Sequence, residues 1–188
     1  MERLVKAKAL YVQVNEIGDK PEERLADFAR RMLNYLDEHD IDRLILDLRL
    51  NRGGNGKLNR SLVANIIKAR KVDAPGRLFV LIGRSTFSAA QFLVNDLEQF
   101  SQAIFVGEPT GGKPNCYGDS RRFQLPHSGI TVRVSSLWWQ VDERDRRDTT
   151  AANIMVPIAY DDYRMNRDPV LAAALAYQVT PLIRSNGA

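Results

Sequence analysis

Leu78-Phe-Val-Leu-Ile82 runs without a polar residue into Gly83-Arg-Ser-Thr-Phe-Ser88, and a helical pattern opens at once with Ala89-Ala-Gln91. An unbroken apolar run of this length suits a strand buried on both faces, as in mostly parallel sheets covered by helices. The stretch therefore reads as strand, bend and helix, with the hydroxyls of Ser85, Thr86 and Ser88 at the bend. A second short strand, Ala103 to Val106, then delivers the glycine-rich loop Gly107-Glu-Pro-Thr-Gly-Gly-Lys113.

Working back towards the N-terminus, Leu44-Ile-Leu-Asp-Leu48 repeats the pattern, apolar on both faces apart from Asp47, and ends in Asn51-Arg-Gly-Gly-Asn-Gly56. Asp47 in such a strand needs a partner, and Arg49 or a loop N–H is the expected one. Ala9 to Ile17 is rich in β-branched and aromatic residues and reads as the first strand. Pro21-Glu-Glu23 has the composition of a first helical turn, with Leu25, Phe28, Ala29, Met32, Leu33 and Leu36 on one face. Leu58, Leu62, Ile66 and Ala69 mark a second helix. Alternating strands and helices with short links predict an α/β layered domain whose carboxyl-end loops gather on one side.

Beyond Lys113 the character changes. Arg121–Leu125 and Ile130–Leu137 read as antiparallel strands joined by Pro126-His-Ser-Gly129. Trp138 and Trp139 continue the second strand and alternate in direction, so one is expected in the core and the other at a cleft. Ile154–Ile158 reads as a further strand, and Asp168-Pro169 has the cap and first-turn chemistry of a last helix.

The 188 residues, 44% of them hydrophobic, suit one substantial core and a single domain over 1–188. Net charge is only +4 and the signs are interspersed, which points away from a nucleic-acid partner. The most basic stretch, Asp142-Glu-Arg-Asp-Arg-Arg-Asp148, mixes arginines with acids and reads as a solvated loop. The single cysteine, Cys116, makes no internal disulfide, and no metal-ligand spacing occurs. Neither a membrane-spanning run nor a signal-peptide layout is visible, so no membrane insertion is expected. Strand-like residues begin so close to Met1 that the chain reads as a piece of a longer protein.

Three loops, Asn51–Gly56, Gly83–Ser88 and Gly107–Lys113, should emerge at one sheet edge. A serine nucleophile needs a base, and a lysine serves when burial lowers its pKa from about 10.4 toward roughly 7 to 8. Ser88 and Lys113 are the candidate pair. The helix opening at Ser88 favours negative charge near its Oγ, and the N–H groups of Ala89 and of Gly53 or Gly54 are candidates for an oxyanion hole. The bland alternatives are a capping serine, a solvated lysine and a plain turn. Gly107 to Lys113 also fits most of a phosphate-binding loop, but Pro114 stands where Ser or Thr must follow and no helix is predicted there. A Gly-x-Ser-x-Gly elbow is absent.

Taken together, Leu44-Ile-Leu-Asp-Leu-Arg-Leu-Asn-Arg-Gly-Gly54, Leu81-Ile-Gly-Arg-Ser-Thr-Phe-Ser-Ala-Ala-Gln91 and Ile104-Phe-Val-Gly-Glu-Pro-Thr-Gly-Gly-Lys113 resemble the three successive motifs of the tail-specific, or C-terminal processing, serine peptidases. The likeness runs over roughly residues 8–178. It implies a ClpP/crotonase-like α/β core of repeated β-β-α units, with an antiparallel β extension after residue 115. It also implies peptide-bond hydrolysis by a Ser-Lys dyad through an acyl-enzyme. Ser88 takes the nucleophile's position, Lys113 the base's, and Ala89 with Gly53 or Gly54 the oxyanion-hole positions. No cofactor, metal or nucleotide is implied; the partner is a polypeptide substrate, and relatives are usually exported.

The chain departs from the family pattern in three places. Where the family commonly has Ser-Ala-Ser-Glu, this chain has Ser88-Ala-Ala-Gln91, and Tyr117 stands where a glutamine often orients the lysine. Gln91 and Tyr117 are the candidate replacements. No segment resembles the PDZ domain by which many relatives select substrate tails. The same fold includes retinoid-binding repeats, so the alternative reading is a weak or inactive relative that binds an apolar ligand or peptide. A crotonase-like acyl-CoA enzyme has less support, because no nucleotide-recognising feature is visible. Cys116 has no histidine nearby in sequence, and His127 sits in the hairpin turn, where exposure is expected.

Overall fold

A computed structural model describes residues 1–179. Its main sheet has six strands in the order β1-β2-β3-β4-β5-β8: β1 (Glu2–Leu4), β2 (Ala9–Gln13), β3 (Arg43–Asp47), β4 (Leu78–Ile82), β5 (Ile104–Gly107) and β8 (Ile154–Met155). All neighbours pair in parallel except β1, which runs antiparallel to β2 at the edge. Between the parallel strands lie α1 (Leu25–Glu38), α2 (Asn59–Lys68) and α3 (Ala89–Phe100), followed later by α4 (Tyr160–Arg164) and α5 (Pro169–Ala176). The expected mixed α/β architecture with a mainly parallel sheet is present. Among the described residues no helix is long and apolar enough to cross a membrane.

The continuous apolar runs are explained by cover on both faces. Along β4, Leu78, Val80 and Ile82 enter one core with Ala29 and Met32 of α1, Leu62 and Ile66 of α2, and Leu93 and Leu97 of α3. Phe79 and Leu81 point the other way, into a second core with Val170 and Ala174 of α5. Fully burying side chains of this size stabilises by about 1.5–3 kcal/mol each, which makes the period-2 split of β4 between two cores a strong register signal. Asp47 leaves that pattern at the end of β3 and is only 1% exposed. Its carboxylate accepts from the Tyr11 hydroxyl at 2.6 Å and from the Arg49 guanidinium at 2.7 Å. The same guanidinium donates to both oxygens of Asp168, whose Oδ1 caps α5 by accepting from Leu171 N–H. The predicted partner of Asp47 is thus the group that fastens β3 to the start of α5.

Element starts differ from the sequence reading where a distant group intervenes. α1 begins at Leu25 rather than at Pro21, because the Asp19 carboxylate accepts the Leu25 N–H at 2.8 Å and so sets the first turn. The segment after Lys113 forms a separate antiparallel pair, β6 (Cys116–Gln124) and β7 (Thr131–Trp139), an antiparallel extension after residue 115 as expected, with β6 beginning at Cys116 rather than at Arg121. Neither β1 nor α4 was foreseen, and β8 is shorter than expected, since only Ile154 and Met155 reach the ladder of β5. His127 is exposed at the hairpin turn.

Candidate active site

The three glycine-bearing loops do meet. Phe87 N–H donates to Asn51 O at 3.1 Å, joining the loops after β3 and β4, and Gly111 N–H donates to Thr86 O at 3.0 Å, joining those after β4 and β5. Buried Thr86 fixes the bend: its hydroxyl donates to Leu48 O and accepts the Gly83 N–H. After Lys113 the chain enters β6 with no helix, so the geometry required of a phosphate-binding loop is missing.

This lattice holds Ser88 at φ 56° and ψ −124°, outside the regions that side-chain-bearing residues ordinarily adopt. Such a conformation costs about 1–3 kcal/mol and persists only where the surroundings over-determine it. Although Ser88 occupies the N-cap position of α3, its side chain makes no capping hydrogen bond. The bland reading of a capping serine is therefore not what the structure contains. The Gly-x-Ser-x-Gly motif is absent, yet the backbone takes the strained strand-to-helix bend associated with it. Clearance comes from across the loop, because a Cβ on Gly53 would lie 2.6 Å from Ser88 Cβ and 3.0 Å from Ala89 N.

The two glycines differ in what they offer. Gly53 is buried and its N–H is taken by Asn51 Oδ1 at 2.9 Å, while Asn51 Nδ2 donates to Val14 O. Gly54 is exposed, and its N–H has no acceptor among the described residues; nor has that of Ala89, the first residue of α3. Both line, with Ser88, a cavity of about 540 Å³. Phe92 and Trp139 form its apolar wall, their ring centroids 5.8 Å apart. Cys116 and Tyr117 are also on the lining, and burial pushes the Cys116 thiol up, away from the reactive thiolate.

Lys113 lies elsewhere. Its ammonium pairs with the Asp148 carboxylate in a neighbouring groove beside Asn115 and Trp138. Gln140 lines both that groove and the Ser88 cavity. Several charges of the 142–148 segment are paired: Arg144 with Asp142, and Arg147 with Asp145 and with Glu98 of α3. The candidate orienting residues separate too. Gln91 is buried and donates through Nε2 to Asn95 Oδ1 and Thr150 Oγ1, while its Oε1 has no partner among the described residues. A Cβ placed on Gly112 would sit 3.4 Å from that oxygen, so the acceptor lies against the backbone that carries Lys113. Tyr117 is 62% exposed and meets the Trp138 ring at a tilt, centroids 4.9 Å apart, with no hydrogen bond to Lys113 among the described residues.

The tryptophans correct one expectation. Neither is in the core, since β7 pairs only with β6 and Trp138 and Trp139 remain 47% and 39% exposed. Trp139 does line the cleft. Two residues escaped the sequence reading. Asp96 lines the cavity two turns after Ser88, and the spacing 88, 92, 96 on one helix face was the available signal. Asp148 had none, because it reaches Lys113 across 35 residues of chain.

No known family profile matches the chain. A carboxyl-terminal-processing protease of Picosynechococcus sp. is 27% identical over 150 residues, 68% of this chain and 34% of the relative. Among solved structures, a candidate peptidase from Parabacteroides merdae superposes with a TM-score of 0.69 at 19% identity, over 95% of this chain and 64% of that one. The photosystem II D1 C-terminal processing protease gives 0.54 at 20% identity, over 79% of this chain and 42% of that one. The chain thus spans about a third of the curated relative's length, and the structural neighbours share its fold.

Proposed function

We propose that this chain, a relative of the carboxyl-terminal-processing proteases, is the catalytic domain of a serine peptidase with a ClpP/crotonase-like core, in which Ser88 is the nucleophile and Lys113 the general base. The observation that carries the reading is the strained, uncapped Ser88 at the head of α3, facing a cavity beside the free N–H groups of Gly54 and Ala89. Of the two candidate glycines, Gly54 is the better donor, because the Gly53 N–H is already engaged by Asn51.

In this scheme Lys113 Nζ, turned toward Ser88 as general base, takes the Ser88 hydroxyl proton as Oγ bonds to the substrate carbonyl carbon. The oxyanion is held by the Gly54 and Ala89 N–H groups and by the positive end of α3. Collapse breaks the C–N bond, and the ammonium of Lys113 returns its proton to the leaving amine. Water then attacks the acyl-enzyme with Lys113 again as base, releasing the carboxylate product and restoring the Ser88 hydroxyl. Lys113 must first leave Asp148 and turn toward Ser88. Gln91 Oε1, buried, without a partner among the described residues and beside Gly112, supplies an acceptor to orient it. Catalytic hydrogen bonds often tighten only once substrate is bound.

The Lys113 to Asp148 pair is also the observation that favours the second reading, a binding protein whose Ser88 cavity holds an apolar ligand or peptide. Hydrolysis of an unstructured polypeptide separates the two. Ser88→Ala and Lys113→Ala should each abolish turnover; full activity in either variant would remove the dyad.

A further inference from the structure

The Ser88 cavity contains a carboxylate that the reaction scheme does not use. Asp96 lies on the same face of α3 as Ser88 and Phe92, at four-residue spacing, and all three line the cavity. It is partly buried, and among the described residues it makes neither a side-chain hydrogen bond nor an ion pair. The other charged groups on the lining do not compensate it. Lys57 forms no ion pair with it, and Asp119 is an acid, engaged by Trp139 Nε1–H at 2.7 Å. Burial accordingly pushes the Asp96 carboxyl up. A partly desolvated, unpaired acid in a cleft is a common mark of a binding role.

Resting on the peptidase reading, we propose that Asp96 selects substrates with a basic side chain, arginine or lysine, at a residue flanking the scissile bond. Eight residues of helix at 1.5 Å each place Asp96 about 12 Å along α3 from Ser88. Helical side chains lean back toward the N-terminus, which shortens the gap to a span that a long basic side chain can bridge from a carbonyl held at Ser88. Its aliphatic stem would lie along Phe92 and Trp139, whose ring faces also attract a cation, and its charged head would meet Asp96. A short apolar side chain would leave the carboxylate unpaired under bound substrate, so the same group disfavours the competitor.

Quenched peptides carrying arginine or its neutral isostere citrulline at each flanking position test this. The arginine peptide should exceed the citrulline peptide in kcat/KM by about 10- to 100-fold at one of the two positions, the range for a charge-assisted hydrogen bond. Asp96→Asn should collapse that ratio toward one, and Asp96→Glu should retain a preference. Equal rates for both peptides, or a ratio that survives Asp96→Asn, would overturn the assignment. The same labelled peptides are titrated by anisotropy into Ser88→Ala, with and without Asp96→Asn. Selective binding of arginine that depends on Asp96, without turnover by the unmodified chain, upholds the Asp96 site while sinking the peptidase reading. No selectivity in either assay overturns the site.

Discussion

Replacing Gly53 by alanine tests whether the loop after β3 exists to give the Ser88 bend room. The added methyl would meet Ser88 Cβ at 2.6 Å, Ala89 N at 3.0 Å and Phe87 O at 3.0 Å. Two of these atoms are backbone, and the third is a Cβ fixed to a strained backbone, so no rotamer change relieves the contact. Gly53 itself has φ 111°, a conformation that a side chain resists. Overpacking costs about 1–3 kcal/mol and a disfavoured backbone region about as much again, so the folded state should lose roughly 2–6 kcal/mol. For a chain of this size each kcal/mol lowers Tm by about 2–4 °C, giving a fall of roughly 4–24 °C by circular dichroism. If the bend yields instead, Ser88 shifts, and a displacement near 1 Å costs about a hundredfold in kcat/KM on a quenched peptide. A variant with unchanged Tm and unchanged kcat/KM would refute the argument that Gly53 is there for clearance.

Asp148→Ala should release Lys113 and raise kcat/KM; a loss as complete as that of Lys113→Ala would mean that the pairing serves catalysis. Arg49→Met should leave Asp47 as a buried charge without its counter-ion, costing about 3–5 kcal/mol and roughly 6–20 °C in Tm. A Tm within 2 °C of the parent, a margin of roughly 1 kcal/mol, would show that β3 and α5 hold without the link. The raised Asp96 carboxyl means that the native state keeps a proton the unfolded chain releases near pH 3.9, so stability falls as pH rises through the folded value. Asp96→Asn should therefore be the more stable protein at pH 7, with the gain vanishing below about pH 4; thermal melts across pH check the sign, and a gain that persists in acid would contradict it.

Much of the fold was legible because local chemistry and tertiary need coincide. Leu78–Ile82 is apolar on both faces, and both faces are covered; Asp168-Pro169 is cap chemistry, and Asp168 caps. Where a boundary depends on a remote group the reading drifted, as at α1, whose first turn is set by Asp19. The hairpin was foreseen, but not that it would stand apart from the main sheet and leave both tryptophans partly exposed, since nothing in Trp138-Trp139 says what packs on either side.

The chain's own residues determined that a serine would stand between a buried strand and a helix, with glycine loops from the flanking strands on the same edge, because parallel strands deliver their carboxyl ends together. Only the tertiary structure decided the rest. It set the strained conformation of Ser88, which depends on Thr86, Asn51 and Gly53 converging from two loops, and it gave the free N–H to Gly54 rather than to Gly53. It also turned Lys113 to Asp148, because an exposed ammonium takes the nearest carboxylate that folding brings to it, and sequence distance carries no information about which one that will be.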